Sequence, residues 1–406
     1  MRLIFKAAIY QNMKKFILLV CVLFGCMRSA FAIDVQLYGI IDMGLQFATT
    51  KQNLPDNNFE NSFFGLATGV QSGSRFGVRG SESLGSGWRI GFDLEAGFDP
   101  GNGTSGQANR LFGRQAILTL NAEQFGQLDI GRQINLASNY FLSIDPFGEG
   151  FGQANIGASF GSANTTRFSN ALLFQTPSIE GFKFGAGYSF AAGLASIYLD
   201  NGTCVDVSCA VTVPQYAYQN QNNLRVVTLG AQYADGPLMV SAAFDKAQGP
   251  ADITNGPPAS SPTAWMIGGS YRFELFKLSA VYGQSHGGAF SGQAAGTGAG
   301  GFSGINSATG SAGVLFAENY SSDSYLIGLT VPVSPRGTVL ASWQMMRPMG
   351  EYAALGFKNQ QIVSVGYTHE LTVRTNLYAY ASYGQNFAMV ETAQSSMIGV
   401  GIRHQF

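Results

Sequence analysis

Apolar and polar residues alternate one by one along much of this chain. Between residues 34 and 47, Val35, Leu37 and Leu45 have one parity, whereas Gln36 and Asp42 have the other. Successive side chains of a β-strand point to opposite faces, so the alternation predicts strands with one apolar and one polar face. The same period returns in segments 88–98, 182–190, 265–273 and 398–406.

Composition limits what such strands can build. The chain is 46% hydrophobic and only 12% charged, with a net charge of -1. Low net charge and high hydrophobicity exclude a disordered chain, and the weak basic content argues against a nucleic-acid partner. The longest apolar run, residues 16–27, is shorter than the roughly 20 residues of a membrane-spanning helix. The chain is therefore apolar without containing a helical membrane span.

The connections between the alternating segments are of two kinds. Short ones lie at 85–87, 176–178, 235–237 and 334–337, and long polar ones lie at about 134–163, 193–222 and 284–322. Short connections at one end of the strands and long connections at the other are typical of an outer-membrane barrel. In a bilayer the sheet must also close, because an open edge would leave backbone groups without hydrogen bonds. We therefore predict an all-β fold, a transmembrane antiparallel β-barrel of about 16 strands around an aqueous channel. A soluble β-sandwich is the alternative that alternation alone leaves open.

The N-terminus is typical of an export signal. A basic pair follows Met13, an apolar stretch comes next, and small residues precede a cleavage site after Ala32. We expect residues 1–32 to be a signal peptide, with Met13 as a possible true start, and residues 33–406 to be the barrel. Acylation at Cys26 is the weaker alternative. In an oxidising compartment Cys204 and Cys209 are expected to form a local disulfide, and the scattered histidines predict no metal site.

Five segments together resemble the general diffusion porins of Gram-negative outer membranes, and most closely their trimeric beta-proteobacterial type. They are VQLYG (35–39), SRFGVRG (74–80), LDIGRQ (128–133), RFSNALLFQTPSIEGF (167–182) and GIRHQF (401–406). The resemblance implies a homotrimer in outer-membrane lipid that lets small hydrophilic solutes diffuse passively, without enzymatic chemistry or a cofactor. It also implies that the barrel-assembly machinery recognises Phe406.

In the family that the chain resembles, the third outer loop folds into the lumen and narrows it. The corresponding segment is about 134–166. The implied constriction has a basic wall and acidic groups, and strand parity adds Arg79 and Arg89 to the arginines implied by motif position. The basic residues are Arg75, Arg79, Arg89, Arg114 and Arg167, and the acidic ones are Asp42, Asp145 and Glu149. Opposed charges of this kind sort ions.

Two positions depart from a simple pore wall. Arg132 has the parity of the apolar face, where an arginine facing mid-bilayer lipid costs about 2–4 kcal/mol, so we expect it at a subunit contact. Ile40 occupies a first-strand position where some relatives of this family place a lysine in the pore. The sign of the ion selectivity therefore stays open at this point.

Functions other than a general pore remain open to a chain of this kind. A channel selective for a sugar or an organic acid is the nearest alternative, and a barrel hydrolase or an adhesin is more distant. The GASFG segment (157–161) matches the spacing of a hydrolase nucleophile, and GTGAGG (296–301) matches a dinucleotide fingerprint. Neither has the strand-to-helix context that such chemistry needs, so both are interpreted as Gly-rich loops.

Overall fold

The alternating segments form strands in the computed structural model, which describes residues 34–52, 59–199, 210–211, 223–249, 260–290 and 313–406. The expected signal peptide (1–32), Cys204 and Cys209 lie outside these residues. The strands are β1 Asp34–Gln52, β2 Phe59–Thr68, β3 Arg75–Gly85, β4 Trp88–Gly97, β5 Gln115–Ala122, β6 Gly126–Ile134, β7 Arg167–Gln175, β8 Phe182–Ser189, β9 Ala195–Leu199, β10 Ala210–Val211, β11 Arg225–Asp235, β12 Leu238–Gln248, β13 Thr263–Arg272, β14 Lys277–Phe290, β15 Gly313–Ser334, β16 Gly337–Pro348, β17 Gln360–Thr372, β18 Thr375–Gln385 and β19 Gln394–Gln405.

The helices are short and lie in connections. They are α1 Gly106–Asn109, α2 Leu136–Phe141 and α3 Gly350–Ala354, together with the 3-10 turns Gly152–Ala154, Ile156–Ala158, Gly161–Ala163 and Phe387–Met389. No helix in the described ranges is long and apolar enough to cross a bilayer.

The sheet closes on itself because the first and last strands pair. β1 and β19 are antiparallel, in a register that runs from Ile40 opposite Gln405 to Lys51 opposite Gln394. β2 and β3 pair with successive parts of β1 and so form one wall position interrupted at 69–74, and β8 pairs directly with β11. β9 and β10 are not needed to close the ring: they pair with each other, and β9 also lies parallel to β15. The wall therefore has 16 positions, which confirms the predicted antiparallel barrel.

The two faces of the strands differ as their parity predicts. On β1, Leu37 is 64% exposed and Leu45 is 49% exposed, whereas Asp42 on the opposite face is 0% exposed. Exposed apolar side chains on every part of the outer wall form the surface that lipid covers, and the inner face carries the polar groups. Tight turns join the strands at one end, as at 85–87, where Gly85 and Gly87 have positive φ.

The segment between β6 and β7 folds into the barrel. α2 packs against the inner wall, where Leu136 and Phe141 are fully buried. Side chains of the wall are absent where the loop approaches closely: a Cβ on Gly185 would lie 2.8 Å from Leu136, and one on Gly230 would lie 2.8 Å from the Tyr140 ring. The lumen is thus partly filled by this segment, residues 135–166, which is called the inner loop below.

Candidate functional site: the narrowed lumen

Inward polar side chains of the wall hold the inner loop in place. Asn135 Nδ2 donates to Asp245 Oδ2 of β12 at 2.9 Å. Gln344 Nε2 of β16 donates to the carbonyl oxygens of Ala154 and Asn155, each at 2.9 Å. These bonds run to strands on the side of the barrel opposite β3–β5, so the loop covers that wall and leaves the other one open to the lumen.

Aromatic and basic contacts fix the tip of the loop. Phe151 makes edge contacts with the rings of Tyr378 and Tyr380, with centroids 5.5 and 5.4 Å apart. Lys277 Nζ, on the inner face of β14, donates to the Ser143 carbonyl oxygen at 2.8 Å. The tip is therefore held by contacts with both β14 and β18, and in this position it narrows the lumen.

Asp145 lies inside this tip and is 2% exposed. Its carboxylate accepts backbone N–H groups of Phe147 at 3.1 Å, Glu149 at 2.8 Å and Ile156 at 3.1 Å. Burial raises the pKa of this carboxyl to about 6, against the lowering effect of these hydrogen bonds. In this position Asp145 organises the turn and does not face lumen water.

The wall that the inner loop leaves open carries three arginines brought together around one glutamate. Arg114 Nε lies 2.5 Å from Glu95 Oε1, and Arg75 lies 3.8 Å from the same oxygen. Arg75, Arg114 and Arg167 interact electrostatically with one another and with Glu95. The sequence predicts the three arginines in this place but not Glu95, although Glu95 has the inward parity of β4. Arg75, Arg114 and Arg167, together with Glu95, are called the arginine neck below.

Glu149 adds the second acid near the arginine neck. It lies close enough to Arg167 for an attractive interaction, and the Thr165 backbone hydrogen-bonds to it. Burial, and after it the nearby Asp145, raises the pKa of Glu149 well above its usual range. Arg167 itself donates to the Thr165 carbonyl oxygen at 2.8 Å. Three guanidinium groups thus lie near two carboxyl groups, Glu95 and Glu149.

Asp42 is fully buried and does not face the water of the lumen. Its Oδ2 accepts the backbone N–H groups of Gln71 and Ser72 at 2.8 and 2.6 Å, and its Oδ1 accepts the Tyr378 hydroxyl at 2.6 Å. It therefore holds the 69–74 bend that leads into Arg75. Arg403 of β19, which sequence reasoning did not single out, lies across from Asp42 in register, and parity could have found it.

The two arginines added by parity lie nearer the short turns. Arg79 is four residues beyond Arg75 on the inner face of β3 and binds Gln36 Oε1 through Nε and NH2, at 2.9 and 2.7 Å. Arg89 is exposed next to the 85–87 turn, opposite Ser83 and Asn121 in register. The structure does not bring either of them into the arginine neck.

Arg132 lies where the register between β6 and β7 shifts, between Gly131 and Gln133. Its guanidinium donates to the Gly113 carbonyl oxygen at 2.7 Å and to Ser169 Oγ at 2.8 Å. Its hydrogen bonds are thus made within the chain, and its expected place at a subunit contact stays a prediction.

The C-terminal Phe406 completes the barrel seam. Its backbone exchanges two hydrogen bonds with Gly39, both at 3.1 Å, while its side chain is 44% exposed. The described part of the chain contains no group of His, Cys, Asp and Glu residues that could hold a metal ion.

Comparison with known proteins identifies the architecture. The family model described as Gram-negative porin matches residues 18–387. An outer membrane porin protein of Bordetella pertussis is 42% identical over 410 residues, covering 97% of this chain and 100% of that protein. The chain belongs to the Gram-negative porin family. A second relative, outer membrane porin protein 32 of Delftia acidovorans, is 27% identical and covers 97% of this chain and 100% of its own.

Solved structures show the same fold at low sequence identity. An anion-selective porin from Comamonas acidovorans matches with a TM-score of 0.65 at 21% identity, covering 92% of this chain and 100% of that one. The outer membrane channel DcaP of Acinetobacter baumannii matches with a TM-score of 0.60 at 14% identity, covering 94% and 99%. These structures show the fold. Because the chain belongs to the Gram-negative porin family, it lies in the outer membrane and its lumen is a channel for passive diffusion, which confirms the resemblance drawn from the five segments.

Proposed function

We propose that this porin is a homotrimer whose channel conducts anions in preference to cations. The observation that supports the preference is the arginine neck: Arg75 and Arg114 share Glu95, Arg167 lies near Glu149, and three positive groups thus face two acids. The excess positive charge lies beside the constriction that the inner loop creates. A charged wall beside a water-filled pore concentrates ions of the opposite sign.

Transport through this channel requires positioning and charge but no covalent chemistry. The Gly-rich segment 157–161, which matches a hydrolase spacing, lies in the buried part of the inner loop and not at a strand-to-helix turn. We therefore propose no enzymatic step. Membership of the porin family supports the association of three subunits. We also propose that the barrel-assembly machinery recognises Phe406 when it inserts the barrel into the outer membrane.

The reversal potential in a KCl gradient across a planar bilayer tests the ion preference. Wild-type protein is expected to show the sign of chloride selectivity, and the triple substitution of Arg75, Arg114 and Arg167 by Gln should move it toward potassium. Arg336→Gln, at the exposed turn between β15 and β16, is the matched control and should change nothing. An equal reversal potential in the wild type and the triple variant would remove the neck from the account.

A further inference from the structure

A cavity of about 350 Å³ opens on the inner wall between the arginine neck and the short turns. Its floor is formed where β3 and β4 carry small residues, because Ser81 and Gly91 face each other in register. Charged and amide side chains surround this floor, among them Asp34, Gln36, Arg79, Asp93, Gln115 and Gln127. The cavity lies on the path of any solute that has passed the neck.

Two opposite charges stand side by side at this cavity without pairing. Arg79 and Asp93 are direct cross-strand neighbours, so their Cα atoms are separated by about 5 Å. In the described part of the chain, no guanidinium nitrogen of Arg79 lies within 4 Å of an Asp93 carboxylate oxygen, although the two groups attract each other electrostatically. Arg79 is drawn to the other side by Gln36, which accepts two of its N–H groups. Each charge therefore remains available to a solute.

Tyr38 accounts for the separation. Its ring lies 5.1 Å from the Arg79 guanidinium carbon, and its hydroxyl lies 2.8 Å from Asp93 Oδ1. The ring can cross β3 only because Gly77 has no side chain, since a Cβ there would lie 2.5 Å from Tyr38 Cζ. Tyr38 thus occupies one oxygen of Asp93 and leaves the other, and it keeps the guanidinium group and the carboxylate apart.

We propose that this cavity is a binding subsite for zwitterionic solutes of amino-acid size, with the carboxylate of the solute at Arg79 and its ammonium group at Asp93. The proposal rests on the channel function and deepens it. A free α-amino acid carries its two charges a few ångströms apart, which matches adjacent cross-strand residues. Arg75 and Arg79 are four residues apart on one face of β3, about 13 Å, so the carboxylate passes from the neck to the subsite.

Swelling of proteoliposomes that contain the purified porin separates this subsite from the pore itself. L-alanine is zwitterionic, lactate is an anion and lactamide is neutral, and the three have nearly the same size. In wild-type protein, alanine should enter faster than lactamide. Asp93→Asn should lower the alanine-to-lactamide ratio about two- to threefold, the scale of a solvent-exposed charge contact. The lactate-to-lactamide ratio should instead rise, because a negative charge is lost beside Arg79. Arg79→Gln should lower both ratios.

Matched controls are Asp235→Asn and Arg336→Gln, which remove one charge each from exposed short turns away from the cavity. They should leave all ratios unchanged. An alanine-to-lactamide ratio unaffected by Asp93→Asn, or an equal effect of Asp93→Asn on all three solutes, would overturn the subsite. Failure of lactamide itself to enter would instead contradict the channel function, so the two failures are distinguishable.

Discussion

Replacing Glu95 by Gln should strengthen the anion preference. Glu95 is the acid shared by Arg114 and Arg75, at 2.5 and 3.8 Å. The amide oxygen of Gln can still accept a hydrogen bond from Arg114, so the substitution removes a negative charge with little change in shape. A gain of selectivity is a stricter test than a loss, because general damage to the channel does not produce it.

The size of the effect follows from distance and screening. An ion touching the two guanidinium groups lies about 6 Å from the Glu95 carboxylate, where a unit charge in water contributes about 0.7 kcal/mol. With a Debye length of about 10 Å at 0.1 M salt, screening reduces this to about 0.4 kcal/mol. Anions and cations respond with opposite sign, so the permeability ratio should change about fourfold. At 1 M salt the Debye length is about 3 Å, and the change should be only about 1.4-fold.

Reversal potentials measured at several mean salt concentrations, with the same concentration ratio across the bilayer, give both numbers. Glu123→Gln, at the exposed turn between β5 and β6, is the matched control and should leave the ratio unaltered. A Glu95→Gln channel with unchanged selectivity, or one whose change is the same at 0.1 and 1 M salt, would refute the electrostatic reasoning.

Two further predictions concern the inner loop. Because burial raises the pKa of Glu149, this carboxyl takes up a proton as the pH falls, and the neck becomes more positive. The anion preference should therefore increase at lower pH, and Glu149→Gln should weaken that pH dependence. A Glu149→Gln channel with the wild-type pH profile would contradict this prediction. Gly230→Leu should push α2 away from its wall and into the open lumen, since a Cβ there would already lie 2.8 Å from the Tyr140 ring, and the narrowed lumen should lower the single-channel conductance. Ala231→Leu, on the neighbouring lipid-facing position, is its control, and equal conductance in the two variants would count against the seating of the loop.

The sequence predicted the barrel well because a strand repeats the same physical requirement at every second residue. Leu37 and Leu45 had to face lipid, and that parity also placed Arg75 and Arg79 on the inner face of β3. Parity carries no information on how far along the channel a side chain lies, so it could not separate Arg89, beside a turn, from the arginine neck.

The contacts made by loops and bends could not be predicted from the sequence, for a different reason. Asp42 and Asp145 accept backbone N–H groups from segments whose path is irregular, and no periodicity describes that path. Their acidic character predicts a pore role; the structure adds that both are buried and that their hydrogen bonds hold the 69–74 bend and the tip of the inner loop. Glu95 and Arg403 had the correct parity but no motif to draw attention to them.

Planar-bilayer recording of the purified wild-type protein tests both the open channel and its preference for anions. We expect stable, water-filled conductance that appears in multiples of three equal steps, with chloride carrying more of the current than potassium. Absence of any conductance step would contradict the channel, and stable steps with potassium selectivity would contradict the role of the arginine neck.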